Sequence, residues 1–344
     1  MLTQSASIRA TLSILILLFA SFAPIAFAYE EINELESQDK RYDSSTVDQK
    51  AWEWAVGGGS SSSDTVKDMI VLPSGDIYLA GIFRSSITIG ACNGNMAVNS
   101  QLGYLSIFVA KFDLNGSCSW INTISGPSNV PTEITSNLIS IDSDQNDDLY
   151  IVSRVLNMGM YHFGNISQTL SSGFLAKLNN NGSWEWVVEH EAVDDDVSLS
   201  IDSQGYIWTA WHDQIIQYNS QGQYQNELDF CSLTCMQIQD FFLDSSDELY
   251  VSGYINGYLY ITVNGSSETY YSPANRLFIM NINSSGDIDW FSTASAPTSS
   301  SMINSASMDS NGDIFVTGSF YGYIQLDSTA LSTGGNQRGF VAKL

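Results

Sequence analysis

From Ala51 onward, short runs of branched and aromatic residues alternate with polar ones, and clusters of Asn, Asp, Gly and Ser separate the runs. Successive side chains on an extended backbone point to opposite faces, so this alternation predicts half-buried β-strands. No window sustains the apolar spacing of an amphipathic helix. One run recurs five times behind a turn. Its copies are Ser74-Gly75-Asp76-Ile77-Tyr78-Leu79-Ala80-Gly81, Asn146-Asp147-Asp148-Leu149-Tyr150-Ile151-Val152, Gln204-Gly205-Tyr206-Ile207-Trp208-Thr209-Ala210, Ser246-Asp247-Glu248-Leu249-Tyr250-Val251-Ser252-Gly253 and Asn311-Gly312-Asp313-Ile314-Phe315-Val316-Thr317-Gly318.

A second phrase stands at Phe108-Val109-Ala110-Lys111-Phe112 and Phe174-Leu175-Ala176-Lys177-Leu178, and runs on through Asn-Gly turns into Ser119-Trp120 and Ser183-Trp184-Glu185-Trp186. Such turns suit hairpins whose central residues need positive φ. The turn glycine recurs at Gly116, Gly182, Gly222 and Gly286, although after Gly222 the places of Trp184 and Trp186 fall to Tyr224 and Asn226. Each copy therefore predicts four strands, at about 66–72, 76–82, 107–112 and 118–123 in the first. At the C-terminus the phrase Phe340-Val341-Ala342-Lys343-Leu344 stops before its turn and its Trp, and the missing half stands at Ala51-Trp52-Glu53-Trp54-Ala55-Val56. Four-stranded antiparallel units repeated radially leave only short edges exposed. The expected fold is thus an all-β, five-bladed β-propeller, closed by strand 51–56 pairing with strand 339–344. Trp120, Trp186 and Trp290 recur at one place, where an indole can cover the seam between blades. If buried, each should be worth about 3–5 kcal/mol against Ala. Carbohydrate stacking is the alternative use.

The phrases Gly-Asp-Ile-Tyr and Phe-Val-Ala-Lys followed by Gly and Trp resemble the SBBP-type beta-propeller repeats of exported bacterial and archaeal proteins, over Ala51 to Leu344. The third copy departs from the pattern, lacking the aromatic phrase and most of its excursion between the second and third strands. The resemblance implies a fold and an exported setting but no single activity, because one fold hosts many functions.

The N-terminus changes the picture of location. Arg9 is the only charge before an apolar run from Leu12 to Phe22 and a small-residue site at Ala26-Phe27-Ala28. That run is shorter than the about 20 residues that span a bilayer, so 1–28 reads as a signal peptide cleaved after Ala28; an uncleaved anchor is the alternative. Residues 29–50 read as an acidic disordered linker, with a short amphipathic helix over 31–38 as the alternative. The mature domain is then 51–344, secreted or at the cell surface. Four cysteines in an exported chain read as two disulfides. Cys92 with Cys118 and Cys231 with Cys235 are the favoured pairings, against free buried thiols. Sequons occur at Asn115, Asn165, Asn181, Asn264 and Asn283, three of them where the turn itself calls for Asn.

The chain carries 37 acidic and 12 basic residues, a formal net charge of −25. Such a surface repels nucleic acid and anionic lipid heads. Hydrophobic residues make up 44% and aromatics 12%, enough to bury a core, so the charge does not signal disorder. The tight turns should share one end of the ring. The longer connections, 57–65, 125–135, 189–196, 229–237 and 294–301 with those between second and third strands, should share the other, the default place for recognition. There Asp64, Glu133, Glu191, Asp194, Asp195, Asp196 and Asp213 could ring the channel mouth. Paired carboxylates can cleave a glycosidic bond, but a solvated acidic rim is the plainer reading. His212-Asp213 could be an oriented base or a surface imidazole. Asp142, Asp144, Asn146 and Asp148 space oxygens as the start of a calcium loop does, without the later Glu and with Asp147 where Gly belongs; an Asx-rich turn is the alternative. No catalytic residue and no required cofactor is assigned, and calcium is the one candidate ion. The expected function is a monomeric recognition or adhesion module holding a glycan, peptide or protein, with a polysaccharide hydrolase or lyase as the alternative.

Overall fold

The computed structural model describes residues 53–59, 64–84, 86–90, 98–99, 105–126, 139–155, 157–190, 197–230, 236–263, 265–294 and 301–344. Residues 56–344 belong to one compact unit and 12–55 to a second. Of the second only Glu53–Ala55 are described, and they carry no strand. The expected signal peptide and linker, with Ala51 and Trp52, lie outside the described residues.

The described chain is all-β. In order its strands are β1 (Gly58–Gly59), β2 (Thr65–Val71), β3 (Ile77–Arg84), β4 (Ser86–Ile89), β5 (Val98–Asn99), β6 (Leu105–Phe112), β7 (Cys118–Ser125), β8 (Ile139–Ser143), β9 (Leu149–Arg154), β10 (Gly159–Phe163), β11 (Ile166–Leu170), β12 (Gly173–Leu178) and β13 (Trp184–Glu189). There follow β14 (Val197–Ile201), β15 (Ile207–Trp211), β16 (Gln214–Tyr218), β17 (Tyr224–Asp229), β18 (Met236–Leu243), β19 (Leu249–Val263), β20 (Ser266–Ile282), β21 (Ile288–Ala294), β22 (Met302–Met308), β23 (Ile314–Leu326) and β24 (Thr329–Lys343).

These make a succession of antiparallel meanders: β2-β3-β6-β7, β8-β9-β12-β13, β14-β15-β16-β17, β18-β19-β20-β21 and the three-stranded β22-β23-β24. The third, despite its departure from the repeat phrase, still forms four strands. Hairpin β10–β11, which arises from the second meander, adds to the outer strand β7 of the first through His162↔Ser125 and Phe163↔Ile124. A small sheet, β1-β4-β5, flanks the first. The expected closing strand is not seen. Glu53–Val56 form no strand, and among the described residues β24 pairs with β23 alone.

The turns form because one residue type satisfies several donors. In the turn before β7, the Asp113 carboxylate accepts from the N–H groups of Asn115 and Ser117, at 2.8 and 2.9 Å. Asn179, Asn219, Asn283, Asp144, Asp202, Asp244 and Asp309 repeat that fork on the residues two and four ahead. The residue three ahead takes positive φ. It is Gly in six of these turns, and Asp147 (φ 59°) and Asp247 (φ 62°) in the other two.

The apolar core lies in the seams between sheets. One cluster joins Ile70, Tyr78 and Val109 of the first sheet to Ile141, Phe174 and Leu178 of the second. Others join the second to the third through Tyr150, Leu175, Leu199 and Ile216, the third to the fourth, and the fourth to the fifth. The innermost strands abut in turn, β2 on β8, β8 on β14, β14 on β18 and β18 on β22. Side chains on them lock the next strand's backbone. Asp68 accepts from Ile141 N–H at 2.8 Å, Ser140 Oγ from Leu199 N–H at 3.1 Å, and Asp240 from Ala306 N–H at 2.9 Å.

The repeated lysine has a physical reason too. Lys111 Nζ lies 5.3 Å from the Tyr78 ring and 3.3 Å from Asp76, and Lys177 Nζ lies 5.3 Å from the Tyr150 ring and 2.8 Å from Asp148. Lys343 stands in the same relation to Phe315 and Asp313. The indoles of the outer strands complete this arrangement, Trp120 against Tyr78, Trp186 against Tyr150 and Trp290 against Tyr250. They also reach the next sheet, where Trp120 Nε1 donates to Asn180 O and Trp186 Nε1 to Ser220 O, both at 3.2 Å. Under these indoles sit the next sheet's turn glycines. A Cβ on Gly182 would lie 2.8 Å from Trp120, and one on Gly222 2.7 Å from Trp186. Trp186 is half-buried, so its replacement by Ala is expected to cost about 3 kcal/mol, the lower end of the range for a large aromatic. Urea denaturation of Trp186→Ala measures this, and an unchanged midpoint would remove the indole from the seam.

Candidate functional site

The acidic mouth residues are not brought together where the chain is described. Glu133, Glu191, Asp194, Asp195 and Asp196 lie outside the described residues. Asp64 serves its own sheet, accepting from Arg84 N–H at 3.2 Å. Asp213 lies 2.9 Å from His212 Nδ1, in the turn between β15 and β16. Both ends of that turn are tied down, Asp213 O accepting from Phe230 N–H at 3.0 Å and His212 O from Ile238 N–H at 2.5 Å. His212 has a φ of 52°, so the pair sits in a pinned turn.

The candidate calcium ligands do not share one cage. Asp142 is buried and turned across a seam, its Oδ2 accepting from Ile201 N–H at 3.0 Å. Asp144 is the fork of its turn and also accepts from the Tyr150 hydroxyl at 3.0 Å. The Asn146 carbonyl accepts from Asn180 Nδ2 at 3.2 Å. Asp148 holds the Lys177 ammonium at 2.8 Å and accepts from Asn180 N–H at 3.0 Å. Lys177 has Glu185 3.2 Å away on its other side. Burial lowers its pKa, but hydrogen bonds to Asp148 and Glu185 outweigh that and raise it above the ordinary lysine value. Among the described residues no group of three or more His, Cys, Asp or Glu is placed to hold a metal. Of the expected disulfides, Cys118 is buried at the start of β7, and Cys92, Cys231 and Cys235 lie outside the described residues.

The structure does show long hairpins between second and third strands, which sequence reasoning treated as loops. β19 and β20 run on as a ribbon with register Tyr258↔Tyr271, Tyr260↔Thr269 and Thr262↔Ser267, and its tip pairs with β21 at Val263↔Ile288. β23 and β24 also run on as a ribbon, through Tyr323↔Ser332. Each ribbon buries alternate residues, Leu259 and Ile261 in one and Ile324 in the other. The opposite face is open, with Tyr258 52%, Tyr260 62% and Tyr271 53% exposed. The alternation Tyr258-Leu259-Tyr260-Ile261 around Asn264-Gly265 is the hairpin signal that would have found it.

One buried titratable group lies at a seam. His190, at the end of β13, is buried, with Nδ1 2.9 Å from the Tyr218 hydroxyl and its Nε2 shielded from solvent. Burial pushes its pKa down to about 4.

The sequence matches no protein-family model and no curated protein. Among solved structures, virginiamycin B lyase from Staphylococcus aureus shares 10% identity at a TM-score of 0.40, covering 83% of this chain and 88% of that one. BamB from Moraxella catarrhalis shares 10% at 0.32, covering 82% and 92%. A protein of unknown function from Bacteroides caccae shares 9% at 0.34, covering 67% and 82%. These likenesses carry no inference about activity.

The depressed His190 pKa has a definite sign. Between about 4 and the ordinary histidine value near 6.5 the unfolded chain binds a proton that the folded chain does not. Stability is therefore expected to rise with pH through that window and to fall, by about 1–3 kcal/mol from this group, as pH drops from 6.5 towards 4.5. Melts of wild type and His190→Gln across that range check it. Parallel pH profiles would show that the imidazole contributes nothing.

Proposed function

We propose that this chain is an exported, non-enzymatic recognition or adhesion module, built as a closed five-bladed propeller of SBBP type and binding its ligand through the long connections at one end. The observation that carries the reading is a division of labour. Asp64, Asp142, Asp144, Asp148 and Asp213, the described candidates for chemistry, are engaged by backbone N–H groups, a lysine or a pinned turn. The long hairpins, by contrast, offer side chains that the core does not use. On this reading the signal is removed after Ala28, the mature protein is a monomer outside the cell, and Cys92–Cys118 and Cys231–Cys235 are its disulfides. The ligand is a glycan, peptide or protein; neither nucleic acid nor calcium is needed.

Closure is supported by the fifth sheet. Lys343 and Phe315 repeat the Lys177 and Tyr150 arrangement, and Trp52-Glu53-Trp54 matches the Trp184-Glu185-Trp186 that completes it in the second sheet. A chain beginning at Ala51 is expected to melt several degrees above one beginning at Gly57; equal melting would remove the closing strand. Incubation with soluble polysaccharides is expected to release neither reducing ends nor unsaturated products, while arrays of glycans and peptides report binding. Measurable turnover would replace this reading with the polysaccharide-active enzyme.

A further inference from the structure

We propose that the open face of the ribbon formed by Tyr258–Val263 and Ser266–Tyr271 is an aromatic platform that stacks a neutral polysaccharide, an inference that rests on the recognition reading and gives it a ligand class. Three cross-strand pairs make the face, Tyr258↔Tyr271, Tyr260↔Thr269 and Thr262↔Ser267. All six residues are exposed, and all six carry a hydroxyl. The Tyr258 and Tyr260 rings are near-parallel neighbours, with centroids 6.2 Å apart and planes within 11°. Tyr271 abuts Tyr258 at 4.5 Å, its plane tilted by 37°. The result is an exposed cluster of aromatic rings bordered by hydroxyls.

That chemistry matches a sugar chain. A pyranose ring has a face of C–H bonds that packs on an aromatic ring and a rim of hydroxyls that exchange hydrogen bonds with serine, threonine and tyrosine. Tyrosine is suited to such a surface because a rigid ring buries contact area with little loss of side-chain freedom. Charge narrows the class further. In a chain with a net charge of −25, this face has no ionisable carboxylate or amine, while the field of the whole molecule disfavours polyanions. A neutral glycan fits both conditions.

The fold itself does not require these tyrosines. Sister hairpins keep the inward apolar residues, Ile87 and Ile89, Tyr161 and Phe163, and Ile324 with Leu326. At the places of Tyr258 and Tyr260 they put Ser86 and Thr88, Met160 and His162, or Tyr323 and Gln325. The inward positions are set by packing and the outward ones vary, so the tyrosine pair is free to serve a ligand.

Affinity electrophoresis of the full mature chain through gels holding a mixed-linkage β-glucan, a galactomannan or a dextran tests this. At least one gel is expected to retard the wild type. Tyr258→Ser with Tyr260→Thr, which copies the first hairpin, should melt like wild type and lose about tenfold or more in affinity, as expected when stacking anchors are removed. Tyr258→Phe with Tyr260→Phe, which keeps the rings, should stay within about threefold of wild type. Retardation unchanged in the Ser/Thr variant would overturn the platform while leaving the recognition reading intact. No retardation in any gel would overturn the neutral-glycan assignment, with array binding of another ligand still supporting recognition. Sugar released from the gels' polysaccharides would instead overturn the non-enzymatic reading.

Discussion

The structure depends on how each sheet grips the next. A β-sheet satisfies its own hydrogen bonds internally, so stacking sheets side by side needs some other source of registration. Here it comes from side chains that reach across the seam to backbone groups. Asp68, Ser140 and Asp240 hold the neighbouring inner strand by its N–H groups, and Trp120 and Trp186 hold the neighbouring outer turn by its carbonyls. Between these two latches lies the apolar filling of Tyr78, Phe174, Leu199 and their neighbours. Buried N–H groups that lose such partners are costly, so the latches fix one relative placement of sheets that apolar packing alone would leave adjustable.

Much of this was legible in the chain. Strand alternation, Asx-Gly turns and the recurring Ala-Lys and Trp phrases located four meanders and most of the fifth, because each feature is local and its cause lies within a few residues. The turn at Asp144 was read as a candidate calcium loop because carboxylates at alternate positions satisfy both readings. Lys177, contributed by a strand further along the chain, pairs with Asp148, and nothing local announces it. The same limit applies to the turn at Asp213, which is pinned by Ile238 from a later strand donating to His212 O. The third copy looked degenerate by its residues, yet it keeps its turn forks at Asp202 and Asn219 and so keeps its strands.

The hairpins beyond the sheets show the opposite case. Their signal is present in the alternation of Tyr258 to Val263 around an Asn-Gly pair, but it lies outside the repeat phrases. Their inward sides follow packing rules and their outward sides do not, so any ligand chemistry in the described chain is more readily sought there. Asp68, Asp142, Asp144 and Asp240 serve turns and seams, and on the ribbon Glu268 pairs opposite Ile261 on the other face, which leaves the open face uncharged.

The glycines beneath the indoles also bear on how such a chain can grow. Gly182 lies under Trp120 of the preceding sheet and Gly222 under Trp186, whereas Gly286 meets only Leu228, at 3.8 Å, so this lid-and-floor joint links the first three copies. A duplicate of the second copy would arrive with both halves of this joint already matched, and could enter beside its parent without compensating substitutions. Changing only one half would break a joint between two copies, which gives gene duplication an easier route to a longer array than gradual divergence of single seams.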